Sequence, residues 1–119
     1  MRRLLDILTS SGEPPFLCVV KDFGAEGRGL LSFPRPGTTA SIDLPLRGAS
    51  TQALVDALNR CVIEAGGRIY LAKDALTRRE HFEAMEGPRL QAFDAIRSRF
   101  DPERRLSSGL AVRLLGDPA

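Results

Sequence analysis

Two short stretches of the chain space polar side chains in a way that suits the binding of a small polar molecule. Thr39, Ser41 and Asp43 alternate with apolar residues, so a strand through them carries all three side chains on one face. Lys21 and Lys73 each follow an apolar stretch. Hydroxyls, a carboxylate and two ammonium groups together offer the donors and acceptors that recognition of a polyhydroxylated molecule requires. A lysine beside an alcohol can also supply positive charge as an ammonium group or, as a neutral amine, accept the hydrogen bond of the alcohol.

The same residues also fit a simpler structure that has no binding role. An antiparallel sheet covered by helices on one face turns polar side chains to water on the other, and pairs of lysine and aspartate are common there. The pattern alone favours this solvent-facing sheet, so both interpretations stay open at this point.

The histidine, serine, glycine and cysteine residues of the chain do not form a recognisable catalytic, phosphate-binding or metal-binding motif. His81 lies early in a charged helical stretch and is expected to be solvated rather than catalytic. The serine pairs at 10–11 and 107–108 have no nearby base, which argues against a serine hydrolase. The glycines of residues 24–29 are not followed by Lys-Ser/Thr and a helix, as a phosphate-binding loop would be. Cys18 and Cys61 lie outside any metal-ligand or redox spacing, so no metal site is predicted.

The composition is that of one globular domain over residues 1–119. Hydrophobic residues make up 43% and charged residues 27%, which excludes a disordered chain. The formal net charge is only +2, and the basic residues are interleaved with acidic ones, which argues against a nucleic-acid partner.

The two cysteines fit buried thiols in a reducing compartment, and no apolar run approaches the ~20 residues of a membrane span. We therefore expect a cytoplasmic chain without a membrane span.

Hydrophobic periodicity and turn residues predict both helices and strands. The expected helices begin near residue 2, at Ser50 or Thr51, at the capping box 77–80, near residue 90 after the Gly87-Pro88 break, and near residue 110. The expected strands are 16–23, 30–33, 39–46 and 68–73. This order predicts the α+β class, with a small antiparallel sheet and helices packed on one face.

Several of these stretches carry motifs that resemble a known family. The motifs are Lys21-Asp22-Phe23-Gly24, Leu31-Ser32-Phe33-Pro34, Asp43-Leu44-Pro45, the stretch 66–74 and Phe100-Asp101-Pro102. In this order they resemble the C-terminal part of FAD-linked oxidoreductases of the vanillyl-alcohol-oxidase type, and within that type the decaprenylphosphoryl-β-D-ribose oxidase group. The resemblance extends from about Leu4 to Leu115.

The resemblance implies a substrate or cap domain whose antiparallel sheet covers the flavin ring of FAD. By this likeness Lys73 is the catalytic lysine that contacts substrate beside the flavin, and Tyr70 lies against the cofactor. Four further residues are implied to line the substrate pocket: Lys21, Phe23, Thr39 and Ser41. The implied reaction is hydride transfer from an alcohol carbon to the flavin, which leaves a ketone or an aldehyde.

The chain also departs from the family pattern. Thr38-Thr39 replace a Trp-Asn pair and Ser41 replaces a cysteine, so the pocket is expected to be smaller and more polar. The FAD-binding domain is absent from these residues, so we expect an inactive chain that holds no FAD until an FAD-binding domain or subunit is supplied. The alternative is a stand-alone small-molecule-binding or regulatory module that kept the fold without catalysis. An exposed sheet face would favour a homo-oligomer in either case.

Overall fold

The computed structural model of the chain describes residues 1–118. The elements are α1 (Arg2–Ser10), β1 (Leu17–Phe23), β2 (Gly37–Asp43), α2 (Ala49–Glu64), α3 (Arg79–Phe100) and a single π-helical turn (Ala111–Leu115). No helix within these 118 residues is both long enough and apolar enough to cross a lipid bilayer.

β1 and β2 form an antiparallel sheet with helices packed on one face. Val20 lies opposite Ala40, and Cys18 lies opposite Ile42. Ile42, together with Leu44 just beyond the strand, packs against a leucine cluster in α1 and α2, which consists of Leu8, Leu54 and Leu58. The predicted α+β class is confirmed, although the sheet in the described residues has two strands rather than four.

A second buried region forms where α3 contacts α2 and the π-helical turn. Phe82 and Leu114 are fully buried there. His81 is also buried, and its Nδ1 lies 3.8 Å from Oδ1 of Asp56 in α2. The expectation that His81 is solvated is wrong, because the first turn of α3 packs against α2. Gly87, with a φ of 40°, bends α3 at the predicted break.

Two of the four predicted strands, 30–33 and 68–73, do not form. In the first stretch the Ser32 N–H donates to the Gly29 carbonyl at 3.0 Å, and in the second the Lys73 N–H donates to the Tyr70 carbonyl at 2.9 Å. Strand preference depends on a neighbouring strand with which to pair. Neither stretch is paired with a strand in residues 1–118, so turn hydrogen bonds satisfy part of its backbone instead.

β1 lies at the edge of the sheet and is not the central strand that its apolar sequence predicts. Cys18 is therefore exposed rather than buried, whereas Cys61 in α2 is half-buried. Ile96 and Phe100, in the second half of α3, are 52% and 79% exposed. The buried face of α3 lies mainly in its first turns, before the bend.

Candidate functional site

The strand register places most of the predicted site residues on one face of the sheet. Lys21 lies opposite Thr39, Val19 opposite Ser41, and Leu17 opposite Asp43. Side chains alternate between faces along a strand, so these residues point away from the leucine cluster that Ile42 contacts. We call the set Lys21, Phe23, Thr39, Ser41 and Asp43 the polar face.

Lys73 comes to this face from a turn rather than from a strand. Its Nζ lies 3.3 Å from Asp43 Oδ1, and the two side chains are 55% and 49% exposed. The structure thus brings together the lysine and the aspartate that the sequence interpretation expected to be neighbours. The ammonium group stays accessible to a molecule that approaches from solvent.

An aromatic cluster occupies the opposite end of the polar face. The ring of Phe33 meets the ring of Phe23 edge-on, with centroids 5.7 Å apart, and the ring of Tyr70 at 5.2 Å. Tyr70 is 49% exposed, so part of its ring is free to contact another molecule. Because Tyr70 contacts this end and Lys73 contacts Asp43 at the other, residues 70–73 reach both ends of the face.

Two arginines that the sequence interpretation missed hold this cluster in place. Arg68 Nη1 and Arg89 Nη2 both donate to the Ser32 carbonyl, at 3.1 and 2.7 Å, immediately before Phe33. Arg68 also donates to Glu26 at 2.5 Å, and Arg89 donates to Glu86 at 2.6 Å. Arg89 and Glu86 are three residues apart in α3, but the other partners lie 36 to 57 residues apart, so local spacing could not have revealed those contacts. Their contacts fix residues 32–33 against the stretch that carries Tyr70.

The two carboxylates of this network respond differently to their surroundings. The hydrogen bond from Arg68 lowers the pKa of Glu26 below its ordinary value. Burial raises the pKa of Glu86, despite the charges of Arg89 and Arg68 beside it. Glu86 therefore depends on its cation to remain ionised inside the fold.

A half-open cavity of about 280 Å³ adjoins the aromatic end of the polar face. It shares Phe23 and Thr39 with that face and extends to Val62 in α2. Arg35 closes one side, where its Nη1 donates to the Gly66 carbonyl at 2.6 Å. The lining combines apolar side chains with hydroxyls and a guanidinium group, which suits a small molecule with both apolar and polar parts.

The chemistry available on this surface is recognition of hydroxyl groups beside an accessible ammonium group. Thr39 and Ser41 can each donate and accept a hydrogen bond, and Lys21 and Lys73 can donate only. Among residues 1–118 no group of three histidine, cysteine, aspartate or glutamate side chains is arranged to hold a metal ion. The fold and the site define a small α+β domain with an open polar face and an exposed aromatic ring at its end.

Comparison with known proteins relates this domain to an oxidase. The chain is 42% identical over 104 residues, 87% of its length, to decaprenylphosphoryl-β-D-ribose oxidase of Mycolicibacterium smegmatis. It is also 42% identical over 96 residues, 81% of its length, to an uncharacterized protein encoded in the mprA 5′ region of Streptomyces coelicolor. No family model matches the chain. The resemblance to the decaprenylphosphoryl-β-D-ribose oxidase group, which the motifs predicted, is confirmed.

The matched stretch is a minor part of each relative. It covers 22% of the M. smegmatis oxidase and 26% of the S. coelicolor protein. The chain thus spans about a quarter or less of the curated relatives it matches.

Proposed function

We propose that this chain is the C-terminal substrate-domain (cap) portion of an FAD-dependent oxidoreductase. Its substrate is an alcohol, the CH–OH group of a sugar-like or polyol molecule, and its partner is an FAD-binding domain or subunit. The observation that carries the proposal is the 42% identity to an oxidase over 87% of the chain. The open polar face, with Lys73 beside Asp43, supports it.

In this proposal each residue of the site has a role that its position allows. Lys73 is the catalytic residue, and its ammonium group donates a hydrogen bond to the alcohol oxygen and stabilises the partial negative charge on that oxygen. Thr39 and Ser41 bind substrate hydroxyls, and Lys21, opposite Thr39, donates a further hydrogen bond. Phe23 closes the pocket at its aromatic end.

The residues of this chain could contact the flat ring of the flavin, and the partner would bind the rest of the cofactor. Tyr70 is half-exposed at the aromatic end and would lie against the flavin. FAD, when bound, supplies the electron acceptor for the oxidation. Because a dinucleotide needs a scaffold of its own, the isolated chain is expected to retain none. Exposed and half-buried cysteines without a disulfide fit the cytoplasmic location that we also propose.

The test supplies the missing part as a separate chain. The segment of the M. smegmatis oxidase outside the matched 104 residues is co-expressed with this chain, and the two are purified through a tag on this chain. We expect a yellow complex whose flavin absorption is bleached by a sugar alcohol or a polyol in the absence of oxygen. The same chain purified alone should be colourless. Flavin bound in stoichiometric amount by the chain alone, or a complex whose flavin no alcohol reduces, would contradict the proposal.

The cavity beside the polar face favours a second candidate, a small-molecule-binding or regulatory module without catalysis. Its volume of about 280 Å³ accommodates a small molecule without any contribution from another chain. This candidate predicts that the isolated chain binds a sugar or polyol in calorimetry, and that adding the flavin-binding segment leaves this affinity unchanged. The oxidoreductase proposal predicts the opposite, with measurable substrate affinity only in the complex.

A further inference from the structure

The segment that carries Lys73 has no regular secondary structure. Residues 65–78 join α2 to α3 without a helix or a strand. Within them the Lys73 N–H donates to the Tyr70 carbonyl at 2.9 Å, and the Thr77 N–H donates to the Asp74 carbonyl at 2.7 Å. The ion pair between Lys73 and Asp43 is half exposed on both sides, so it contributes little to the stability of this arrangement. The position of Lys73 therefore depends on what holds the rest of the segment.

One side chain, Arg113 of the π-helical turn, contacts this segment at both Asp74 and Thr77. Its Nη1 donates to the Asp74 carbonyl at 3.0 Å and to the Thr77 carbonyl at 2.7 Å. Its Nη2 lies 3.2 Å from Asp74 Oδ1. A guanidinium group is planar and carries several N–H donors, so it can bridge several acceptors at once. Arg113 thus holds both the backbone and the side chain of the residue that follows Lys73.

Burial makes these contacts stronger than the exposed ion pair of Lys73. Asp74 and Thr77 are both buried, and so is Leu114, which follows Arg113 on the π-helical turn. Among the described residues Asp74 Oδ2 has no hydrogen-bond partner, so the ion pair with Arg113 is what compensates for burial of the carboxylate. Removing one partner of such a pair is costly, because the other charge is then left uncompensated.

The two ends of residues 73–77 differ in how they are held. Near α3, Gln52 Nε2 of α2 donates to the Leu76 carbonyl at 3.0 Å. In residues 1–118 every hydrogen bond or ion pair from a side chain to Asp74 comes from Arg113. Loss of Arg113 should therefore release Asp74 while residue 76 stays attached to α2. A displacement of Asp74 moves Lys73 as well, because consecutive Cα atoms are only about 3.8 Å apart.

We propose that Arg113 is a positioning residue for Lys73. By holding Asp74 and Thr77 it keeps the ammonium group of Lys73 beside Asp43, over the polar face. Its effect on turnover passes through Lys73 and rests on the proposed oxidoreductase function, whereas its effect on the conformation of the segment does not.

Rapid kinetics of the complex with the flavin-binding segment test the effect on turnover. Arg113→Met should lower the rate constant of flavin reduction, by the polyol that bleaches the unmodified complex, about tenfold, because a displaced catalytic group loses much of its effect. In the Lys73→Ala background the same substitution should cause no further loss, since Arg113 acts through Lys73. An equal loss in both backgrounds would mean that Arg113 only supports the fold, and the proposal would be wrong.

Two further variants separate this effect from a general loss of stability. Arg104→Met removes a partly buried guanidinium group that donates to Asp94 and Ser98, outside the Lys73 segment, and should leave the rate unchanged. An equal loss in this control would contradict the proposal. If Arg113→Met fails to fold, Arg113→Lys keeps the positive charge, but its single nitrogen cannot replace both Nη1 and Nη2. It should still show a loss of about threefold that depends on Lys73.

Amide hydrogen exchange, measured by NMR on the full 119-residue chain, tests the positioning without any activity. The Thr77 N–H should exchange at least about tenfold faster in Arg113→Met, because its turn with Asp74 opens more often. The Leu58 N–H, in the core of α2, should accelerate much less, which distinguishes local opening from global unfolding. If no polyol or sugar alcohol reduces the flavin of the unmodified complex, the proposed function fails, and this measurement alone decides whether Arg113 holds the segment. An unchanged rate at Thr77, or equal acceleration at Leu58, would overturn the proposal.

Discussion

Lys73 Nζ lies 3.3 Å from Asp43 Oδ1, and this contact joins two segments 30 residues apart. Both side chains are about half exposed, and ion pairs of that kind contribute about 0–1 kcal/mol to stability. The main effect of the contact is therefore to position the lysine, and its contribution to the stability of the fold is small. It keeps the ammonium group over the hydroxyl-bearing face of the sheet, where the proposed chemistry requires it.

Replacing this lysine should affect turnover far more than stability. In the complex with the flavin-binding segment, Lys73→Ala should lower kcat for alcohol oxidation about 100-fold or more, because the positive charge beside the alcohol oxygen is lost. The free energy of unfolding should change by less than about 1 kcal/mol. Stopped-flow measurement of flavin reduction and urea denaturation check the two values.

Arg60→Ala is the control for a lost cation away from the site. Arg60 is exposed on α2 and should leave both values unchanged. If Lys73→Ala reduces flavin at a near-normal rate, the polar face is a solvent-exposed sheet surface without a binding role.

Tyr70 offers a separate test of the cofactor contact. Tyr70→Ala removes the ring that packs 5.2 Å from Phe33 and should weaken retention of FAD in the complex about fivefold, which corresponds to about 1 kcal/mol for an aromatic pair. Tyr70→Phe keeps the ring and should retain FAD normally. Fluorescence titration of the released flavin measures both, and equal losses in the two variants would assign the effect to the hydroxyl instead of the ring.

The local sequence predicted which side chains share a face of the sheet, but it did not predict the structure of the segments that lie beside that face. Alternation from Thr39 to Asp43 was sufficient to place these side chains together, because strand periodicity is a local property. Gly66, just beyond α2, has a φ of 62°, the left-handed conformation in which a glycine commonly ends a helix, and this too is a local property. Residues 68–73 have equally strong strand preference, yet they form a turn because pairing depends on a neighbour outside the local sequence.

Helix starts show a similar limit. Ser50 or Thr51 was expected to cap α2, but α2 begins at Ala49, before both residues, and the Thr51 hydroxyl donates to the Pro45 carbonyl at 2.9 Å. Thr77 was expected to cap α3 in a capping box, but it is buried, and α3 begins at Arg79 without a side-chain cap. The Thr51 hydroxyl binds a carbonyl six residues earlier in the chain, and the Thr77 hydroxyl accepts a hydrogen bond from Asn59 Nδ2 in α2 at 3.5 Å, so neither hydroxyl caps its helix.

The network behind the aromatic cluster gives a prediction about stability. Arg89→Met leaves the Glu86 carboxylate, whose side chain is 4% exposed, without the guanidinium group that is hydrogen-bonded to it, and should cost about 3 kcal/mol at neutral pH. Burial already raises the pKa of Glu86, and losing Arg89 raises it further. The cost should therefore shrink as the pH falls through this raised pKa and Glu86 becomes neutral.

The double variant Arg89→Met with Glu86→Gln provides the matched comparison, because it removes the buried charge together with its partner. It should recover most of the stability lost in Arg89→Met, as measured by urea denaturation at neutral pH. A double variant no more stable than the single one would show that lost packing of the arginine, not an unpaired carboxylate, causes the effect.

The ion pair between Arg97 and Asp117 predicts the acid sensitivity of the fold. Arg97 Nη1 donates to Asp117 Oδ1 at 2.7 Å, and this hydrogen bonding lowers the pKa of Asp117 below its ordinary 3.8. A carboxyl with a lowered pKa stabilises the fold above its ordinary pKa, and this contribution disappears as the pH falls through the folded value. The melting temperature of Asp117→Asn should thus be several degrees below that of the unmodified chain at about pH 7. This difference in melting temperature should disappear as the pH falls towards about 2. Glu103→Gln removes an exposed partner of Arg105, and its melting temperature should equal that of the unmodified chain at either pH. If the melting temperature of Asp117→Asn stays below that of the unmodified chain by the same amount across this pH range, the charge of Asp117 does not stabilise the fold.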